Sequence, residues 1–219
     1  MAEVTALIDY GAGNLCSVAN ALRVAGGEGV TITADPCVVR AADRIVLPGV
    51  GAFRACIEAL RAVPGLIEAM TERVHVGGAP FLGICVGMQL LADRGIEFGA
   101  TEGLGWIGGE VRRIEWADPA IKIPHMGWND VAPRDVPPKF DLGPDGYGAA
   151  ALIEPGEAYF LHSYHFVPES GDNIAAITDH GGVVVAAVAH ENMLGVQFHP
   201  EKSQDYGLSL LARFLDWKP

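Results

Sequence analysis

Over the first 91 residues, short apolar runs alternate with segments of helical periodicity, and this alternation limits the possible folds more than any other feature of the chain. The runs are "VTALIDY" (4 to 10), "GVTIT" (29 to 33), "RIVLPG" (44 to 49) and "PFLGI" (80 to 84). Leu15, Val18, Ala19 and Leu22 recur at helical spacing after the first run, and "FRACIEALRAVPGLIEAMTERV" supplies a helix interrupted at Pro64 and Gly65. Strands joined through helices make right-handed crossovers, so the spacing predicts an α/β fold with a doubly wound, mostly parallel sheet. Ligands of such sheets lie at the carboxyl ends of the strands.

After residue 100 the pattern changes to consecutive strands: "WIGGEVRRIEW", "YFLHSYHFV", "NIAAITD", "VVVAAVAH" and "MLGVQFH". These predict antiparallel additions in the C-terminal half, the last two forming a hairpin through Glu191 and Asn192. The stretch 132 to 148, rich in proline and glycine, reads as a long surface loop. Ser203 is expected to cap a final helix whose Leu208, Leu211 and Leu215 face inward. A chain of 219 residues suits a single domain, 1–219.

Composition removes several function classes. With 27 acidic and 15 basic side chains the formal charge is −12, and no basic cluster interrupts it, which argues against nucleic acid as a partner. No apolar run approaches the length that crosses a bilayer, and the N-terminus does not read as a secretory leader. Cys16, Cys37, Cys56 and Cys85 are too dispersed for a CxxC pair and too few for a disulfide scaffold, so a reducing cytoplasm is expected.

The chemistry centres on "GICVG", where Cys85 stands between Gly83 and Gly87 at a strand-to-helix junction. One reading is a buried cysteine acting as a small hydrophobe, with glycines that ease packing. The other is a nucleophile elbow, whose turn is too tight for side chains on its flanks. A nucleophile needs a base. His199 in "VQFHPEKS" ends an apolar strand where Pro200 stops pairing, and in an extended segment Glu201 emerges on the same side to orient the imidazole. Taken alone, these residues are equally an exposed turn.

An acyl-transfer site also needs oxyanion donors. The amide of Val86 is one, aided by the helix dipole, and the glycine-rich "PGVGAF" (48 to 53) can offer another. His162 and His165 sit three apart, on opposite faces of one strand, so a metal site is not expected. "DYGAGNLCS" has G-x-G but Cys16 at the third glycine position; even with Asp35 at a plausible ribose-binding distance, nucleotide binding is the weaker reading.

Together, "GICVGMQLL", "PGVGAF" and "VQFHPEKS" resemble the signature of the class I (triad) glutamine amidotransferases, which have a flavodoxin-like α/β fold. Within that group "DYGAGNL", "IPHMGWN" and "YFLHSY" are similar to the glutaminase subunits of imidazole glycerol phosphate synthase. The resemblance runs from the first strand to the last helix. It implies that Cys85 attacks the carboxamide of glutamine, that His199 relays the proton, and that Glu201 orients His199. The oxyanion would be held by Val86 and, after a change in the glycine turn, by Val50 or Gly51. Gln89 and Glu97 would recognise glutamine with the backbone of Ser163 and Tyr164. No metal or cofactor is implied.

Released ammonia becomes non-nucleophilic ammonium in water, so the resemblance also implies a partner that receives it through a protected route. That partner is a (β/α)8-barrel cyclase forming a heterodimer with the glutaminase in histidine biosynthesis. Asn14, Trp128, Asn129, Tyr159 and Lys202 would lie at the docking face, where aromatic residues are often anchors. Two departures stand out: His165 occupies a position expected to be aromatic, and the 132 to 148 loop is longer than the usual link.

Overall fold

The computed structural model describes residues 3–116, 118, 120–134 and 148–219. The first half contains β1 (Val4–Ile8), α1 (Leu15–Val24), β2 (Gly29–Thr33), α2 (Pro36–Ala41), β3 (Arg44–Gly49), α3 (Phe53–Arg61) and α4 (Leu66–Thr71). It continues through β4 (Phe81–Cys85) and the one-turn α5 (Val86–Gln89) to the short β5 (Arg94–Gly95) and β6 (Thr101–Glu102). The second half comprises β7 (Gly109–Arg113), β8 (His125–Pro133), β9 (Gly156–His162), β10 (Tyr164–Pro168), β11 (Ile174–Asp179), β12 (Val183–His190), β13 (Met193–Val196) and α6 (Gln204–Asp216).

A nine-stranded sheet has the order β2-β1-β3-β4-β13-β12-β11-β8-β9, and a four-stranded sheet the order β10-β7-β5-β6. In the large sheet, β2, β1, β3, β4 and β13 are parallel neighbours, while β12, β11, β8 and β9 add on antiparallel. This is the α/β architecture the alternation predicts. Every residue of β3 and β4 is buried, as expected of central parallel strands covered on both faces. α1 packs with α6, and α2 and α3 pack with α4, which gives the sheet a helical layer on each side. Among the described residues no helix is long and apolar enough to cross a membrane.

Several local expectations change. "YFLHSYHFV" is two strands, because the chain leaves the large sheet after His162 and enters the small one at Tyr164. His162 and His165 therefore belong to different sheets, and the opposite-face argument does not apply to them. Apolar alternation does not register a change of strand partner. "WIGGEVRRIEW" contributes only Gly109–Arg113 to a strand. β8 extends through Pro133, so the expected loop starts later than 132; residues 135–147 lie outside the described residues. α2 was not apparent from periodicity. Pro36 opens it and the Asp35 carboxylate accepts from the Cys37 amide at 2.8 Å, so Asp35 is a helix cap.

The β12–β13 hairpin forms as expected, with His190 opposite Met193 and Glu191 at φ +49°. In α6 the inward face is Gly207, Leu210, Leu211 and Phe214, and Leu208 and Leu215 are only partly buried at its margin. Ser203 precedes α6 but makes no capping bond. Its hydroxyl instead donates to the His199 carbonyl at 2.7 Å and accepts from the Tyr159 amide at 2.9 Å, so tertiary partners win over the local cap.

Candidate active site

The elbow forms because β4 must turn into α5 within one residue. Cys85 takes up that turn at φ +54°, ψ −111°, a conformation that costs an L-residue about 1–3 kcal/mol and recurs at functional sites. The neighbouring glycines are required by contact. A Cβ on Gly83 would lie 2.7 Å from the Gly87 carbonyl oxygen, and one on Gly87 would strike the Leu47 carbonyl. The register of β3 on β4 pairs Gly49 with Cys85, so the Val50–Gly51 turn lies beside the sulfur. α5 is a single turn, so few aligned peptides contribute a dipole; what the elbow offers is the Val86 amide itself.

His199 arrives from β13, the strand that pairs with β4 on the side away from β3. β13 ends at Val196, and Pro200–Lys202 forms a 3₁₀ turn rather than an extended segment. The turn still brings Glu201 Oε1 to 2.9 Å from His199 Nδ1. The His199 backbone is held at both ends, its amide donating to the Tyr159 carbonyl at 2.9 Å and its carbonyl accepting from Ser203. Both side chains are out of solvent, with 4% of His199 and 1% of Glu201 exposed. Burial works against charge on the imidazole, but hydrogen bonds to the Cys85 sulfur and to Glu201 outweigh it and push its pKa up to about 10. The Glu201 carboxylate at 2.9 Å and the Cys85 sulfur therefore both favour the protonated form of the imidazole.

A cleft of about 370 Å³ opens over this group. It is lined by Cys85 and His199, by Val50, Gly51 and Val86, and by Gln89, Glu97, Ser163 and Tyr164. Leu161, His162, Pro124 and Lys202 complete it, while Glu201 stays behind His199. The Gln89 amide donates to the Tyr164 carbonyl at 3.0 Å and to Gln197 Oε1 at 2.9 Å, which leaves its oxygen as the atom able to accept from a ligand. The Glu97 carboxylate accepts the Phe53 amide at 3.0 Å at the start of α3.

Gln197 was not singled out by sequence reasoning. It is fully buried, and its amide donates to Cys85 Sγ at 3.7 Å while accepting from Gln89. The available signal was its position two residues before His199, which gives it the same side of an extended chain. A second unforeseen feature is a one-way hydrogen-bond chain. The Asn129 amide donates to His125 Nε2 at 3.0 Å, His125 Nδ1 to His162 Nε2 at 3.0 Å, and His162 Nδ1 to the Tyr164 carbonyl at 2.9 Å. These partners assign both tautomers. Burial, with smaller effects from neighbouring histidines, lowers His125 to about 4 and His162 to about 3, so both rings are neutral spacers that fix the Ser163–Tyr164 backbone.

Of the expected docking residues, three converge. Trp128 and Tyr159 are cross-strand partners with ring centroids 6.2 Å apart, and Lys202 Nζ lies 5.8 Å from the Tyr159 ring centre. Trp128 is 47% exposed. Asn129 points to the opposite face of β8, where its amide also donates to the Asp179 carbonyl at 2.8 Å. Asn14 sits at the N-terminal end of α1 without a side-chain cap. His165 is buried on β10, its Nδ1 without a partner among the described residues, and burial with the nearby Arg112 lowers it to about 4. Among the described residues no His, Cys, Asp or Glu cluster could hold a metal ion.

The fold and the cysteine elbow define a class. The chain belongs to the class I glutamine amidotransferase family, whose profile matches residues 6–217. It is 55% identical to the imidazole glycerol phosphate synthase subunit HisH of Zymomonas mobilis, across 99% of this chain and 97% of that relative. The subunit of the same name from Rhodospirillum rubrum is 51% identical, across 98% of this chain and 99% of the relative. Among solved structures, a glutamine amidotransferase superposes with a TM-score of 0.70 at 17% identity, covering 97% of this chain and 98% of that one. The glutaminase domain of Trypanosoma brucei CTPS superposes with a TM-score of 0.59 at 17% identity, covering 99% and 95% respectively. These two likenesses speak to the fold.

Proposed function

We propose that the chain is the glutaminase subunit of an imidazole glycerol phosphate synthase, acting as one domain over 1–219 in the cytoplasm and delivering ammonia to a (β/α)8-barrel cyclase in a heterodimer. The identity of 55% to a HisH relative along nearly the whole of both chains is the observation that carries this reading. The chemistry rests on Cys85, His199 and Glu201. The sulfur attacks the side-chain carboxamide carbon of glutamine, and the carbonyl π electrons move onto oxygen, which the Val86 amide and the Val50–Gly51 turn stabilise. His199 gives its proton to the leaving nitrogen as the C–N bond breaks, which leaves a thioester and ammonia. It then takes a proton from water as that water attacks the thioester carbon, and glutamate departs with the sulfur restored. A cationic imidazole against the sulfur supports this cycle, since the thiolate is the nucleophile.

Gln89, Glu97 and the Ser163–Tyr164 backbone bind glutamine, and Trp128, Tyr159 and Lys202 contribute to the docking face beside the cleft. Asn14 is assigned to the same face by resemblance, whereas Asn129, pointing to the opposite face of β8, acts on the cleft through the His125–His162 chain. The test is glutamate release by the chain alone and with the cyclase and its nucleotide substrate. Release is expected to be slow alone and to rise on addition, and equal rates count against the reading. Cys85→Ala is expected to abolish glutamine-dependent synthesis by the complex and preserve ammonia-dependent synthesis.

A further inference from the structure

Glu97 is the carboxylate of the cleft lining, yet the chain that carries it gives little support of its own. It stands in the turn 96–100 between β5 and β6, strands of two residues each. The turn reverses through Phe98 at φ +55° and Gly99 at φ +98°. Phe98 has a side chain, which disfavours that left-handed conformation, and its ring, 79% exposed, gains little burial in return.

The support comes from α3. The Phe53 amide, at the first residue of the helix, donates to Glu97 Oε2 at 3.0 Å, and a Cβ on Gly95 of β5 would stand 2.6 Å from the Phe53 ring. One residue on, the Arg54 guanidinium bridges the turn: Nη2 donates to the Phe98 carbonyl at 3.2 Å and Nε to Thr101 Oγ1 at 3.0 Å. Both donors belong to one rigid plane, so holding the two acceptors together fixes the width of the turn. Arg61, two helical turns further along the same face of α3, donates through Nη2 to the Glu102 carbonyl at 3.2 Å. Arg54 is half-buried and stands outside the cleft lining, and the carbonyl it grips belongs to the residue after Glu97.

We propose that Arg54 is a positioning residue that sets specificity for an amino-acid amide: by pinning the left-handed turn at Phe98 it keeps the Glu97 carboxylate where the ammonium group of glutamine arrives. With Arg54 absent the carboxylate keeps its charge and its bond from the Phe53 amide, but the chain that follows it is free to relax toward an unstrained conformation. The inference rests on the glutaminase reading above, and deepens it by naming the residue through which the fold places Glu97.

The test uses Arg54→Ala and Thr101→Val in the chain assembled with its cyclase, and Arg54→Ala repeated on Glu97→Gln. Glutamate release gives kcat and KM for glutamine. The inhibition constant of glutaramate, which is glutamine without its ammonium group, reports the rest of the cleft. Arg54→Ala is expected to raise KM roughly tenfold, with kcat and the glutaramate constant within twofold of wild type. Thr101→Val removes one of the two acceptors, so it is expected to raise KM less and in the same pattern, and it decides the matter should Arg54→Ala fail to fold. On Glu97→Gln, Arg54→Ala is expected to add less than twofold, because it acts through that carboxylate. A KM within twofold of wild type, a kcat that falls instead, glutaramate inhibition that weakens in step with KM, or a full tenfold added on Glu97→Gln overturns the role of Arg54 alone. Absence of glutamate release by the unsubstituted complex overturns the functional reading, and the role of Arg54 with it.

Discussion

Replacing Glu201 by glutamine isolates the charge of the carboxylate from its shape. The amide oxygen can still accept from His199 Nδ1, where Glu201 Oε1 now sits at 2.9 Å, so the ring orientation survives. What disappears is the counter-charge to the imidazolium. The rise of the His199 pKa from 6.5 to about 10 corresponds to a preference for the protonated ring of about 5 kcal/mol, at about 1.36 kcal/mol per pH unit. Burial opposes that preference, and it is the hydrogen bonds and charges of Cys85 and Glu201 together that overcome it. Breaking a buried charge pair by removing one partner costs about 3–5 kcal/mol, and because the glutamine keeps a neutral acceptor the loss here is smaller, so kcat for glutamate release should fall at least roughly tenfold. The sign follows from the raised value: the wild-type ring stays protonated until the pH passes about 10, and the variant loses its proton nearer neutrality. His199 ionisation followed by NMR, alongside kcat for glutamate release against pH, checks both. A variant whose ring titrates as in the wild type, or whose kcat lies within threefold of it, would refute the electrostatic role given to Glu201.

Gln197→Leu removes the donor at 3.7 Å from the sulfur and the acceptor that shares Gln89, leaving Gln89 held by Tyr164 alone. At about 1–3 kcal/mol for a buried polar group left unpaired, KM for glutamine should rise about tenfold; a value within twofold of wild type would show that Gln197 does not order the cleft. His165→Phe tests the departure on β10. Its pKa of about 4 lies below the usual 6.5, so the unfolded chain takes up the proton first and this residue's contribution to stability is lost as pH falls from 6.5 to 4. Relative to wild type the phenylalanine variant should gain up to about 3 kcal/mol across that window and little above it, read from urea midpoints at several pH values. A gain independent of pH would mean packing, not protonation, is responsible.

Residue order alone was enough to determine the parallel half of the sheet and the tight turn at Cys85. Each of these is local: periodicity reports which face is buried, and Gly83 and Gly87 report a turn that admits no side chain. Tertiary structure decided the rest. Nothing near residue 163 in the chain marks the passage from one sheet to another, because strand pairing is chosen by distant partners. The Ser203 hydroxyl leaves its helix for His199 and Tyr159, and Gln197 reaches Cys85 only when β4 and β13 lie side by side. A buried hydrogen-bonding group must find its partner wherever packing puts one, and that location is a property of the folded chain rather than of neighbouring residues.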